Sequence, residues 1–274
     1  MRKIFPLFLA LTVLTGCNKE TEPTPGLAPV GGVISLRSES VLENEPAAKA
    51  ATHSERAAGQ RLTYTFEAWT RDANPRCVSH RTATGTPAAA SIEIALVPGT
   101  YDFLFWADYG IGAYTTADLR QIKIAMTPGS TPATYIPGSE RDAFACVLLG
   151  VQWNGGNGVS ATLKRPLAKL TMQNKAAFST GDKAVSVTYR NVPTQYDVLT
   201  EKTSELQTVT VAFPNTTVNS ATVGEDFLFV PSNAGQSVGL SITVGDATKR
   251  LDALTLQPNH ATSVTATFEE ADSN

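Results

Sequence analysis

The sequence predicts an all-β protein, two consecutive β-sandwich domains behind an exported and lipid-modified N-terminus. Short segments that alternate apolar and polar residues recur at intervals of about 8 to 12 residues, with Gly and Pro turn signals between them. No stretch past the N-terminus carries the apolar period of a helix of three turns. Composition agrees: 17% of the 274 residues are charged, against about 25% in an average globular protein, while Thr, Ala, Ser, Val and Gly abound.

Met1 is followed by Arg2 and Lys3, an apolar run from Ile4 to Leu14, and Thr15-Gly16-Cys17. This charged, apolar, small-residue order is that of a secretory signal, and the run is shorter than the roughly 20 residues that cross a bilayer. Leu14-Thr15-Gly16-Cys17 resembles the lipobox of bacterial lipoproteins. The resemblance implies that residues 1–16 are removed as a signal peptide and that lipid on Cys17 anchors the protein without a transmembrane helix. Residues 17–30 read as a tether, too poor in apolar surface to offset the entropy of ordering it. Its acidic pair, Glu20 and Glu22, resembles the surface-export signal of Bacteroidetes lipoproteins.

Gly31–Ser38 reads as a short first strand, and residues 39–60, without alternation, as a short helix or a flexible connection. Leu62–Trp69 and Ala90–Leu96 alternate, and Cys77 falls in a polar, loop-like stretch between them. Pro98-Gly99 turns the chain into Thr100–Asp108, aromatic and continuous enough to be a buried strand. Residues 109–141 run through several Gly and Pro with one strand at Gln121–Met126; a loop of that length carries function or covers a face. Ala143–Trp153, the turn Gly155-Gly156-Asn157-Gly158 and Val159–Arg165 read as a β-hairpin. Pro166 then interrupts the pattern, as proline does at an edge, a bulge or a crossing. The domain boundary is drawn there, giving residues 31–168 and 169–274. The second domain offers strands at Ala184–Asn191, at Tyr196–Leu199 after a turn at Val192-Pro193, and at Leu206–Phe213, Glu225–Val230, Ser237–Val244, Lys249–Leu256 and Ala261–Phe268.

Four blocks in order resemble motifs of the fimbrillin-like lipoproteins of Bacteroidales. They are Val97–Asp102 with Phe105-Trp106-Ala107-Asp108, Arg141–Phe144, Leu163–Leu170 and Asn191–Thr200. The resemblance spans roughly residues 60 to 268 and implies two Greek-key, transthyretin-like sandwiches and a structural or adhesive role in fimbriae. The partners it implies are other fimbrial subunits joined by β-strand addition, the outer membrane through Cys17, and host proteins or glycans. In several family members an Arg-specific protease removes the N-terminal strand after export. Arg37, Arg56 and Arg61 are the candidates here, and Arg56 is preferred because it lies before the first clear strand of the main domain, where nicking is easiest. An uncut chain would remain a lipidated anchor or cap. The alternative function is a monomeric surface lipoprotein that binds glycan or another nutrient beside an outer-membrane transporter.

The residues give little support to other chemistry. A net charge of -3 without a basic run leaves no footprint for nucleic acid. His53, His80 and His260 show no ligand spacing, and Asp108, Asp118 and Asp142 lack the density of a calcium loop, so no metal or other cofactor is expected. No Gly-x-Ser-x-Gly elbow supports a triad, and no enzyme is expected. Cys77 and Cys146 either form a disulfide or leave Cys146 as a buried thiol. Trp69, Trp106 and Trp153 are expected in the core rather than on a sugar-binding platform, Tyr109 and Tyr114 at the surface, and Arg141-Asp142 as a local pair.

Overall fold

The computed structural model describes residues 27–44, 60–215 and 218–268. In chain order the strands are β1 (Val30–Ser38), β2 (Leu62–Thr70), β3 (Cys77–Gly85), β4 (Ala90–Leu96), β5 (Gly99–Asp108), β6 (Tyr114–Thr115), β7 (Ile122–Ile124), β8 (Ala143–Trp153) and β9 (Gly156–Leu163). They continue as β10 (Leu167–Phe178), β11 (Val185–Asp197), β12 (Lys202–Phe213), β13 (Ser220–Phe229), β14 (Gln236–Val244), β15 (Ala247–Leu256) and β16 (Ala261–Ala266). The chain is all-β, as its alternating segments require.

A three-stranded sheet of order β4-β1-β9 packs on a four-stranded one of order β3-β2-β5-β8. Between them lies a core that includes Ile34, Leu36, Tyr64, Phe66, Phe103 and Phe105. The second sandwich repeats this wiring. There β10 lies between antiparallel β13 and parallel β16, as β1 lies between antiparallel β4 and parallel β9, and β12-β11-β14-β15 matches β3-β2-β5-β8. Two connections break the repeat. Residues 39–61 join the first two strands of the first sandwich, where residues 179–184 suffice in the second. Residues 109–142 join β5 to β8, where a two-residue turn joins β14 to β15.

That second insertion covers a face. Its β7 pairs with the far half of β11, so the arm joins the second sandwich's sheet. Its side chains Tyr114, Leu119, Ile122 and Tyr135 are buried in one cluster with Trp69, Leu104 and Trp106 of the first sandwich and Tyr196 and Phe229 of the second. β2 and β5 are therefore covered on both faces, which explains why β5 reads as a continuous apolar run and why the polar positions of alternating β2, Thr65 and Glu67, are buried as well. Trp106 meets Tyr114 edge-on at 5.2 Å and Phe229 at 6.3 Å between ring centroids.

Three local expectations need correction. The stretch around Cys77 is strand β3, whose polar residues suit a sheet edge that buries little. β8 and β9 do not form a hairpin: β8 pairs with β5 and β9 runs parallel to β1, with a single bridge between Ala145 and Lys164. Gly155 and Gly156, at φ 85° and 90°, carry the chain from one sheet to the other. Val192-Pro193 makes no turn. β11 runs on through a bulge at Asn191 (φ 58°), and Pro193 falls between the stretch paired to β14 and the stretch paired to β7.

Arg141 and Asp142 likewise do not pair with each other. Arg141, 2% exposed, points its Nε at the fully buried Asp226 of β13 at 3.2 Å and stacks over Tyr135 at 3.8 Å. Tyr135 and Tyr189 donate their hydroxyls to the same carboxylate at 2.7 and 3.2 Å. Burial pushes the Asp226 carboxyl above its ordinary range, and Arg141 is the largest influence pulling it back. Arg141→Ala should therefore cost about 3–5 kcal/mol in urea unfolding at neutral pH. Without Arg141 the upward shift grows, and Asp226 binds a proton more tightly folded than unfolded. The deficit of the variant should shrink as the pH is lowered toward 4, and a deficit independent of pH would contradict this assignment.

Candidate functional site

The most unusual position in the fold belongs to the first strand. β1 is paired along both edges, from Val30 opposite Leu96 to Leu36 opposite Ala90 on β4, and from Gly32 opposite Gly156 to Ser38 opposite Leu163 on β9. Alternation decides what it buries: Ile34 and Leu36 enter the core, whereas Ser35 and Arg37 face out. Ser38 closes the far end through a 3.2 Å hydrogen bond with the hydroxyl of Tyr64, and Trp153 Nε1 donates to the Val30 carbonyl at the near end, also at 3.2 Å. Between them Gly32 passes hard against β9, where the pairing register shifts. A Cβ on Gly32 would run into the Gly156 carbonyl oxygen and lie 2.6 Å from Cη2 of Trp153.

Past β1 the chain crosses to the second sandwich. Leu42 is buried at 2% exposure, Glu43 N–H donates to the Asn259 carbonyl at 2.9 Å, and Asn44 bonds both the N–H and the carbonyl of Ala261 at 2.7 Å. Arg165, at the junction of β9 and β10, gathers this corner. Its guanidinium holds Asp142 through two bonds of 2.6 and 2.8 Å, Asn259 Oδ1 at 2.5 Å and the Ser40 carbonyl at 2.9 Å. A cleft of about 290 Å³ opens beside it, lined in part by Ser40, Leu42, Tyr109, Glu140 and Lys169. Burial raises the Tyr109 hydroxyl to about 12. Two acid–base pairs line this cleft, Asp142 with Arg165 and Glu225 with Lys169 at 3.2 Å.

The residues singled out from sequence fall in different places. Cys17, His53 and Arg56 lie outside the described residues. Arg37 is bonded to Thr162 and Arg61 to Thr84, both exposed. Cys77 and Cys146 do not bond to each other. They sit on β3 and β8, the two outer strands of one sheet with β2 and β5 between. Three strand spacings alone put them at least about 14 Å apart, twice the roughly 7 Å that a disulfide spans between Cα atoms. Trp69, Trp106 and Trp153 are buried, as expected of core residues. Tyr114 is buried too, against the surface expectation: its ring packs in the arm's aromatic cluster and its hydroxyl donates to the Arg141 carbonyl at 2.5 Å. Tyr109 is half-buried at the cleft. Asp108 accepts from Trp106 Nε1 and Gly110 N–H, and Asp118 accepts from Arg120 N–H, so these carboxylates serve local turns. His80 pairs with the buried Glu67 at 3.0 Å. Among the described residues no group of His, Cys, Asp or Glu is arranged to hold a metal.

Sequence reasoning found β1 but missed that it lies in mid-sheet. Two signals were present in the chain: the length of residues 39–61 and the glycine pair Gly31-Gly32 at the head of an otherwise apolar strand.

A chain of two such sandwiches with a lipid-bearing N-terminus is a β-sandwich lipoprotein: a lipid attachment site of prokaryotic membrane lipoproteins matches residues 1–18, which include Cys17. The chain belongs to the family of unknown function DUF6562, whose model matches residues 33–268. No curated protein matches it in sequence. Its fold is shared with a structure described as "putative polysaccharide binding proteins" from Bacteroides thetaiotaomicron, at 10% identity and TM-score 0.51, covering 81% of this chain and 78% of that one. A "putative adhesin" from Bacteroides ovatus matches at 9% identity and TM-score 0.50, over 82% of this chain and 77% of that one. The tip fimbrial protein Mfa3 from Porphyromonas gingivalis matches at 11% identity and TM-score 0.47, over 82% and 81%.

The Cys146 thiol is raised to about 11, chiefly by burial. Alkylation at pH 8, mapped to Cys146 by mass spectrometry, should run roughly a hundredfold slower in the folded chain than in the urea-unfolded one. Equal rates would contradict its burial.

Proposed function

We propose that the chain is a structural or adhesive subunit of cell-surface fimbriae, carried to the outer membrane by lipid on Cys17 and joined to its neighbours by β-strand addition. The observation that carries this reading is the place of β1, in the middle of its sheet yet attached to the rest of the chain by residues 39–61. The matching strand of the second sandwich, β10, is covalently continuous with β9 across only Lys164–Pro166 and cannot leave. A cut after Arg56 would separate β1 from the sandwich. The departure of β1 would open a slot with unpaired N–H and carbonyl groups on both β4 and β9 and an apolar floor between them. Such an edge pair takes a strand from another chain, with main-chain bonds for affinity and side-chain pockets for specificity.

The same cut would release the lipid, because β1 is the strand that follows the tether. An uncut chain would stay at the membrane as an anchor or cap. The description of the Bacteroides ovatus relative as an adhesin accords with this role. We take residues 31–168 and 169–274 as the two domains, the first lending its arm to the second, and we read the protein as a binding and building element without catalysis or cofactor. The alternative of a monomeric glycan binder is weakened by the burial of all three tryptophans, which leaves no tryptophan platform for a sugar.

Purified chain treated with an Arg-specific protease should be cut after Arg56 and, when mixed with a subunit that presents a free donor strand, should then form complexes that survive a denaturing gel run without boiling, whereas Arg56→Ala should give neither. Cut protein that stays monomeric in that mixture would defeat the polymer reading and leave the anchor or the glycan binder.

A further inference from the structure

Gly32 gives the slot a chemical preference. On the β4 side β1 is tolerant: a Cβ on Gly31, the exposed neighbour, would come no nearer than 3.9 Å to the Ile94 carbonyl oxygen. On the β9 side it is not. A Cβ at position 32 would meet the backbone of Gly156, both oxygen and nitrogen, and the Trp153 ring. These obstacles do not swing aside. Trp153 is 2% exposed and packed edge-on against Phe103 of β5 at 6.1 Å between ring centroids, and Gly156 is held at φ 90° in the turn that crosses between sheets. Two and four residues further on, Ile34 and Leu36 fill the core at 0% and 4% exposure.

We propose, building on the strand-addition reading, that the slot between β4 and β9 is keyed to glycine. It accepts a partner strand running as β1 does, with glycine at the Gly32 position and branched aliphatic residues two and four places on. The indole of Trp153 is the gauge: it reads the first backbone carbonyl of the incoming strand and excludes any side chain two residues later.

The rule selects among donors. In this sequence no other glycine is followed by Val, Ile or Leu at both the second and fourth places. β16 contains no glycine, nor does any residue from 257 onward. A neighbouring copy therefore cannot donate β16. The fitting partner is another subunit that presents a strand with this glycine and aliphatic pattern.

The test uses the full chain carrying a site-specific protease sequence within residues 45–59, cut so that residues 27–44 stay in place without a covalent link. Fluorescent peptides are then allowed to exchange into the slot and followed by anisotropy. The native 27–44 peptide and its Gly31→Ala version should enter with similar affinity. Gly32→Ala should bind at least about tenfold more weakly, the effect of forcing a methyl group into a packed site, and the 257–268 peptide should not bind. Equal binding of the Gly32→Ala and native peptides, or binding of the 257–268 peptide, would overturn the glycine rule. An Ile34→Asp peptide separates the two levels of the account. If it alone is excluded, strand addition stands and the rule falls; if even the native peptide fails to enter, strand addition falls with it.

Discussion

The main-chain hydrogen bonds on both edges of β1 hold the first sandwich closed. On one side they reach β4 and on the other β9, and among the described residues neither of those strands has another neighbour in its sheet. Each buried N–H or carbonyl left unpaired costs about 1–3 kcal/mol, so a row of them on two facing edges cannot stand open. The slot is stable only when a strand fills it. Any process that removes β1 must therefore supply a replacement or lose the sheet, and that is the physical content of assembly by strand addition.

Other parts of the molecule distribute the consequences. The chain after β1 pins the corner between the sandwiches through Leu42, Glu43, Asn44 and the Ser40 carbonyl held by Arg165. Those contacts would leave with β1. The arm between β5 and β8 makes a separate attachment, with Arg141 and Tyr135 on Asp226 and Tyr114 against Phe229. Because the arm connects to β5 and β8, its hold on the second sandwich does not depend on the N-terminal strand. The two sandwiches keep one joint when the other is released.

Much of the fold was legible in the sequence because alternation is a local property. Ala90–Leu96 and Thr100–Asp108 carry their burial pattern in their own residues, and so do most strands of the second sandwich, whereas the second buried face of Leu62–Trp69 is set by the arm that covers it. What was not legible was pairing. Nothing in Val159–Leu163 distinguishes a hairpin partner of β8 from a parallel neighbour of β1, since both use the same apolar alternation. Edge strand β3 escaped notice because an edge needs few apolar residues, and the bulge at Asn191 made one strand look like two. The signal-peptide and lipid motif could be read directly, while the role of Gly32 required knowing what lies 2.6 Å away on β9. Cys77 and Cys146 show the same limit: the sequence leaves a bridge and a buried Cys146 thiol both open, because their separation is set by two strands elsewhere in the chain, β2 and β5.

The central claim is that β1 alone among the sheet strands can be exchanged, and hydrogen exchange read strand by strand tests it most directly, because the second sandwich serves as an internal control. The chain is cut between residues 45 and 59, and β1 is displaced by an excess of unlabelled competitor too weak to remain bound. Amides of β4 and β9 should then lose protection while those of β13 and β16, the equivalent strands around β10, keep theirs, and readdition of the native β1 peptide should restore β4 and β9. Loss of protection spread over both sandwiches, or no change at β4 and β9, would contradict the account.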